Sequence, residues 1–536
     1  MGRTCLAPTI SSVDNFGSSI LTLERRKSQQ KWNKLGSITR KTAEEFKKEN
    51  KHIDLSLPAV RFGPDEDVNY EGLTTALRKA VRLHCAIQAS DGHWPAEHSG
   101  PMFITPALPK SPVRGDGGNN GGGRDDKEGV PSSASSPWLI IILYISGTIS
   151  TFITEAHRKE LIRFGYLHQN DDGGWGFHLE GHSTMIGTAL NYVALRLLGE
   201  GLDDGENRAM TRAREWIIGN GGATGIPSWG KLYLSVLGVY EWSGCNPLPP
   251  EFWLFPSFSP YHPGKMWCYC RTAYMPMSYL YGRKYHGPIT DLVKSLRREI
   301  HTTPYEEIDW NKARHNCCKA DLYYPHVFIQ DVLWDCLHYL ASKTFFLLQS
   351  LQMMCWWAEE PNGDEFKNLA RVPDWLWLAE DGMKMQSLGS ALWDCAFTTQ
   401  ALLSSRMIDE CLPSLKKAHF YMRESQVREN PNGDFKSMYR HMSKGAWCLS
   451  DQDNGWAVSD CTAEALKCLL LFSQMPPEFV GEKVDEERLY VAVNFLLYVQ
   501  SPISGGFAIW EPPIPQPYMQ ALNPLECFAD IVIEIE

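Results

Sequence analysis

The chain has no unbroken apolar run of membrane-spanning length. Its longest, Pro137 to Ile153, is interrupted by Ser146, Gly147 and Thr148. Crossing a bilayer takes about 20 apolar residues, so a buried helix is expected here and any membrane association should be peripheral. The start, Met1-Gly2-Arg3-Thr4-Cys5-Leu6, has no apolar signal core. Leu6 stands where the myristoylation pattern needs Ser or Thr. There is no paired CxxC and no HExxH, and Cys268/Cys270 and Cys317/Cys318 are spaced too tightly for a zinc knuckle. No structural metal is therefore expected. The 15 cysteines are scattered and odd in number, which does not make the framework of a disulfide-rich secreted domain and fits a reducing compartment. Positive charge is in deficit, with 52 Lys and Arg against 63 Asp and Glu for a net charge of −11. A nucleic-acid partner is not expected on that balance.

What is present is size and greasiness. At 536 residues the chain is long enough for more than one domain. With 43% hydrophobic and 21% charged residues it can build a large core. The 19 Trp, 21 Tyr and 22 Phe are read, one by one, as ordinary core packing. Residues 1–59 form a polar segment with a charged helical stretch at Thr42–Lys51. From Tyr70 onward amphipathic helices alternate with Gly- and Pro-rich turns. Asn69–Leu83 and Thr184–Leu198 carry apolar residues at helical spacing, and strand-like alternation is rare. The expected fold class is all-α. Pro109–Pro137 breaks this texture with Gly, Asp and Ser that cannot bury apolar area, and reads as a disordered insertion.

A weak repeat runs through the helices. Gln88-Ala-Ser-Asp-Gly-His-Trp94 and Gln169-Asn-Asp-Asp-Gly-Gly-Trp175 both fit Q-x3-G-x-W. Looser copies are Gln426 with Gly433-Asp434-Phe435, and Gln500 with Gly505-Gly506-Phe507. Each follows an apolar helix and reads as a helix terminator: Gly turns the chain, the ring packs over it, and the Gln amide bonds backbone groups left open at the helix end. Self-similarity of this kind points to stacked helical repeats.

These repeats resemble the QW motifs of terpene cyclases. Two further stretches sharpen the resemblance. Ser459-Asp460-Cys461-Thr462-Ala463-Glu464 is similar to the DCTAE acid motif of oxidosqualene cyclases, and Met266-Trp267-Cys268-Tyr269-Cys270-Arg271 resembles a stretch of plant triterpene cyclases, β-amyrin synthases especially. The resemblance covers about residues 54–536 apart from the insertion. It implies two facing α/α barrels, one over 60–385 with the insertion at 109–137, the other partial over 386–536 and carrying the acid. It further implies 2,3-oxidosqualene as substrate, a cyclic triterpene alcohol as product, no cofactor, and a peripheral position on the cytoplasmic face of the endoplasmic reticulum membrane or a lipid droplet. Pro247–Pro263, rich in Trp, Phe and Pro, is the local candidate for lipid contact.

Asp460 is the candidate acid. Burial would keep its proton on near neutral pH, a helix N-terminus would oppose that, and residue type alone is equally served by an Asp capping the helix Thr462–Phe472. The Cys461 thiol is the candidate donor to the carboxylate once the proton has left. Trp229, Trp267, Tyr269, Trp393 and Trp510 match, by motif position, aromatics that line the family's cavity and stabilise carbocations through their faces. Tyr269, with Trp267 before it, leans toward a pentacyclic product of the β-amyrin kind. The chain departs from the family in three places. Leu449 stands where an aromatic is usual, helices are missing between Leu340 and Gln352, and the text stops at Asp530–Glu536 where family members continue into a second cysteine and further cavity aromatics. On that ground the apolar faces of the helices at Asp460–Phe472 and Glu487–Val499 are expected to meet water, with poor stability and little activity. Three readings stay open: a working cyclase, a non-catalytic remnant or gene-model fragment, and a prenyltransferase-like α/α barrel, which would need a zinc site.

Overall fold

The computed structural model describes residues 69–89, 91–94, 137–176, 181–247, 255–256, 258–259, 262–265, 277–322, 376–379, 382–385, 390–437, 439–449, 457–502, 505–508 and 534–535. The expected helix at Thr42–Lys51, the insertion over 109–136 and the gap at Leu340–Gln352 lie outside them. The described residues are mostly helical, with three small two-stranded sheets.

The helices are α1 (Tyr70–Ile87), α2 (Pro137–Ile145), α3 (Ile149–Phe152), α4 (Glu155–Leu167), α5 (Met185–Leu197), α6 (Ala209–Gly219), α7 (Ser228–Leu237), α8 (Asp291–Ile300) and α9 (Trp310–Ala313). After a hairpin of β1 (Leu376–Ala379) and β2 (Gly382–Met385) come α10 (Ala391–Ser404) and α11 (Ile408–Glu424). Strands β3 (Trp447–Cys448) and β4 (Ala457–Val458) then lead into α12 (Ser459–Ser473), α13 (Pro477–Val480) and α14 (Glu486–Val499). Strands β5 (Phe507–Ala508) and β6 (Glu534–Ile535) pair antiparallel.

Side-chain caps account for several of the helix starts. Asn69, Thr154, Thr184 and Thr290 each accept a backbone N–H from the first turn of α1, α4, α5 and α8. The apolar run from Pro137 forms two helices, not one. Its break falls at Ser146–Thr148, where Gly147 takes the left-handed region (φ 69°) and the Ser146 and Thr148 hydroxyls bond each other at 2.7 Å. α2 is apolar on every face because it is surrounded, with Ile141 and Leu143 fully buried.

Two large hydrophobic cores result, with a small third cluster of Ala446, Ala457, Phe495 and Val499. The first centres on α5, nearly all of which is buried, and takes in α2, α6, α7 and α8. Several of its buried polar groups are paired. The Arg196 guanidinium donates twice to Glu299 at 2.9 Å, and the Tyr192 hydroxyl donates to the same carboxylate at 2.8 Å, which ties α5 to α8. Lys231, fully buried on α7, donates from Nζ to the carbonyls of Ala313, Arg314 and Asn316 and so closes the end of α9. The β1–β2 hairpin lays Gly382 so close to α4 that an added Cβ would sit 2.9 Å from the Glu160 carbonyl oxygen.

The second core holds α10, α11, α12 and α14. It also takes α1 and Trp94 from far upstream: Val81 and Trp94 are buried in it, and Arg78 and Arg82 pair with Glu410. Packing thus places residues 70–94 with the downstream helices, although the sequence grouping 60–385 joins them to the upstream ones.

The repeat is a fold device with one geometry. In each copy the residue after Gln exchanges backbone bonds with the Gly and the residue that follows it: Ala89 with Gly92 and His93, Asn170 with Gly173 and Gly174, Val427 with Gly445 and Ala446, and Ser501 with Gly505 and Gly506. Each turning glycine has positive φ, 108°, 92°, 89° and 79° in order. The third copy therefore closes on Gly445 and Trp447, not on Gly433 and Phe435, and residues 428–444 loop out between the two ends. A seven-residue text window cannot see across that excursion. In the first three copies the Gln amide bridges its own turn to a following helix: Gln88 to Gly92 O and Ser414 O, Gln169 to Gly173 O and Ala209 O, Gln426 to Gly445 O and Arg488 O. The open carbonyl in the last turn of the preceding helix is met by the indole N–H instead: Trp94 to His84, Trp175 to Gly165, Trp447 to Met422, at 2.7–2.8 Å. The Gln amide was expected at that helix end, and the ring nitrogen occupies it.

Candidate functional site

The third closure builds the place where the acid motif sits. Strand β3 emerges from it and pairs with β4, Trp447 opposite Val458 and Cys448 opposite Ala457. The Trp447 N–H donates to Thr462 Oγ1 at 3.0 Å, which fixes the strand to the first turn of α12. The first core repeats this arrangement: Trp175 N–H donates to Thr188 Oγ1 at 3.0 Å in the first turn of α5. Counting back two residues from each threonine, Asp460 holds the place that Ile186 holds in α5. There the carboxylate of the distant Asp321 receives the N–H groups of Met185 and Ile186 at 2.6 and 2.9 Å. One half of the chain thus covers a helix N-terminus with a structural carboxylate, and the other presents a carboxyl group of its own.

Asp460 lies inside the first turn of α12. The helix starts at Ser459 with Val458 as N-cap and no side-chain cap bond, so the plain capping role weighed from sequence is not the one adopted. The Cys461 N–H donates to Asp460 Oδ1 at 2.6 Å, and the buried Cys461 thiol is the next side chain along. The carboxyl pKa is nonetheless raised above its ordinary value, chiefly by burial, with the charge of Glu464 one turn on acting in the same direction. Burial therefore outweighs the backbone N–H groups of Asp460 and Cys461 at the helix start. Glu464 is held by Gln400 Nε2 at 2.6 Å and by Lys467 Nζ at 3.3 Å. The Cys461 thiol is buried and pushed well above its ordinary range, first by burial and then by the Asp460 charge, so it stays an S–H donor.

α10 packs beside α12 and brings Trp393 to the same end. Its N–H donates to the Leu449 carbonyl at 3.3 Å, one residue beyond β3. Its ring stands edge-on to Phe397 with centroids 4.7 Å apart. Asp394, next in sequence, accepts from Ser390 Oγ at 2.7 Å, and its charge acts on the Cys461 thiol. Neither Asp394 nor the pairing of Gln400 with Glu464 was singled out from sequence. The only textual signal was an acidic residue in the first turn of each of two apolar helices.

Trp229 is elsewhere. It lies half-buried on α7 against the first core, edge-on to Tyr233 at 6.0 Å, and its buried Nε1–H has no acceptor among the described residues. The geometry thus groups Asp460, Cys461 and Trp393 and leaves Trp229 with the other core. Trp267, Tyr269 and Trp510 lie outside the described residues. Among the described residues no cluster of His, Cys, Asp and Glu is arranged to hold a metal ion, and no helix is long and apolar enough to cross a membrane.

Comparison with known proteins gives this geometry a context. Residues 140–355 match the model of the squalene-hopene cyclase N-terminal domain. The chain is similar to the alpha-onocerin synthase LCD of Lycopodium clavatum, 39% identical over 90% of this chain and 62% of that one. It is similar to the cycloartenol synthase of Dictyostelium discoideum, 38% identical over 86% of this chain and 64% of that one. It is also similar to the lanosterol synthase of Homo sapiens, 37% identical over 85% of this chain and 61% of that one. The chain spans a little over three fifths of the length of these relatives.

Proposed function

From the premise that this chain belongs by sequence to the oxidosqualene cyclase family, we propose that Asp460 is the acid that opens the epoxide of 2,3-oxidosqualene and starts its cyclisation to a triterpene alcohol. The carboxyl O–H gives its proton to the epoxide oxygen. The adjacent C–O bond breaks as the π pair of the nearest alkene forms the first ring bond. Positive charge then moves along the chain as further rings close, and loss of a proton from carbon ends the sequence. The Cys461 thiol donates to the carboxylate as it forms. No redox cofactor enters, because the strained epoxide supplies the driving force.

The observation that carries the reading is the Asp460 carboxyl, which burial holds toward its protonated form beside the buried Cys461 thiol. An exposed aspartate would have lost its proton long before neutral pH. Trp229, Trp267, Tyr269, Trp393 and Trp510 are proposed to face the travelling cation, each worth about 2 kcal/mol where water is excluded. The two hydrophobic cores are read as parts of two facing α/α barrels. The residue pair Trp267 and Tyr269 supports a β-amyrin-like product. Peripheral contact with an endoplasmic reticulum or lipid-droplet surface is supported by Phe258, 83% exposed, and Phe255, 39% exposed, in the Pro-rich stretch.

The test is expression in a host without its own cyclase, feeding of 2,3-oxidosqualene and mass-spectrometric detection of cyclic alcohols. Asp460→Asn is expected to lower turnover by about 10²–10⁴-fold, the usual contribution of a positioned acid. Undiminished turnover in that variant would remove Asp460 from the chemistry, and an epoxide returned unchanged by the parent chain would remove the reaction.

A further inference from the structure

Five of the cysteines among the described residues belong to or pack against the second core: Cys85, Cys395, Cys411, Cys461 and Cys468. One pair of them joins segments far apart in the chain at a place that a small reagent can reach.

We propose that Cys85 on α1 and Cys411 on α11 form a reversible disulfide latch by exchange with a low-molecular-weight disulfide. Arg78, Arg82 and Cys85 follow one another at helical spacing along one face of α1. The first two hold Glu410, at 2.8 and 3.3 Å, and one turn past Cys85 the Gln88 amide donates to the Ser414 carbonyl at 3.0 Å. Cys411 is the neighbour of Glu410 and lies one turn before Ser414. Cys85 therefore sits over the stretch of α11 that contains Cys411, between contacts on either side. A charge on Cys85 would be felt at Cys411, and both thiols pack in the second core. Cys85 is half-buried and Cys411 buried, which makes the first the point of attack and the second the resolving thiol.

The ion pairs of this contact are weak. Arg78 and Arg82 are more than a third exposed, and such ion pairs contribute little. A cross-link closes a very long loop of chain, the case in which it restricts the unfolded ensemble most. Burial raises both thiols, Cys411 to about 11, so few thiolates exist at neutral pH and the latch closes slowly, under sustained oxidising conditions. The exchange balances. The Cys85 thiolate attacks one sulfur of oxidised glutathione and expels one glutathione thiolate. The Cys411 thiolate then attacks the Cys85 sulfur of the mixed disulfide and expels the second. Two protein thiols are oxidised, one glutathione disulfide is reduced, and the two protons pass to the departing thiolates.

The test incubates the full chain with oxidised glutathione at mildly alkaline pH, digests it without reductant and maps disulfide-linked peptides. The expected result is a peptide pair joining Cys85 to Cys411 that disappears on reduction and is absent from Cys85→Ser and from Cys411→Ala. Limited proteolysis of the parent should show slower cleavage around residues 70–94 after oxidation, and no such slowing in Cys85→Ser, whose half-buried position lets it fold. Glutathione left on Cys85 with Cys411 still alkylatable would overturn the proposal, as would the absence of any modification at Cys85.

Discussion

Replacing Gln426 by Leu tests the reassigned third closure directly. The side chain is 2% exposed and all its polar capacity in the turn is used: Nε2–H groups to Gly445 O at 2.9 Å and Arg488 O at 3.0 Å, and Oε1 accepting from Arg488 Nε at 2.9 Å. Leucine has similar volume and offers none of these, so the loss is one of pairing more than of packing. A buried group left without its partner costs about 1–3 kcal/mol. The Gly445 carbonyl and the Arg488 guanidinium nitrogen bear most of it, which sums to roughly 2–6 kcal/mol by the same scale. That is a large part of a typical net stability of about 5–15 kcal/mol. Urea titration followed by tryptophan fluorescence reads the change, with Phe435→Ala as comparison. Phe435 lies half-buried in the looped-out stretch and forms no part of the turn, so its truncation should cost about 1 kcal/mol or less. A Gln426→Leu variant within about 0.5 kcal/mol of the parent, an ordinary surface-substitution effect, together with a more damaging Phe435→Ala, would refute the assignment.

Three other outcomes are expected. Glu299→Ala strips the carboxylate from the half-buried Arg196 and from the buried Tyr192 and should cost about 3–5 kcal/mol in the same titration. His301, buried with its Nε2–H on the Val239 carbonyl, has its pKa lowered from 6.5 to about 4 by burial; its contribution is complete above pH 6.5 and drains away as pH falls from there toward 4. The loss is about 3 kcal/mol, and His301→Gln should flatten that limb of the stability–pH curve. For the proposed reaction, rate should fall as pH rises through the raised Asp460 pKa, because the acid works only when protonated. Glu464→Gln removes a charge that holds that pKa up, so the alkaline limb of the rate profile should move to lower pH.

Much of the helical content could be read from the text because amphipathic spacing and capping residues are local signals. Asn69 and Thr184 start α1 and α5 where the apolar period begins, and the Ser-Gly-Thr interruption after Ile145 is where the apolar run breaks. Partner choice was not legible. The stripe on α1 says that it packs, and nothing in it says that Glu410 and Ser414 receive it. The repeat was visible where Gln and Trp are six residues apart and misread where a loop separates them, since the turn is defined by backbone pairing and not by spacing. At the site, the motif placed Asp460 at a helix start. The contest between burial and the helix N-terminus needed coordinates, because each depends on what neighbouring helices exclude or supply. Asp394 and Gln400 act across the α10–α12 contact, which no short window contains.

The excursion between Val427 and Gly445 has a practical consequence. Its neck is sealed by reciprocal backbone bonds, and Asn430 Oδ1 gathers the returning strand by accepting from Ser443 and Lys444 N–H groups. Its tip at Asn432–Gly433 is exposed, with open space around Gly433. Doubling the length of a flexible loop adds only about 0.6 kcal/mol. A fluorescent or affinity module could therefore be spliced in at that tip, and the turn beneath it would transmit little of the added motion to the helix that bears Asp460.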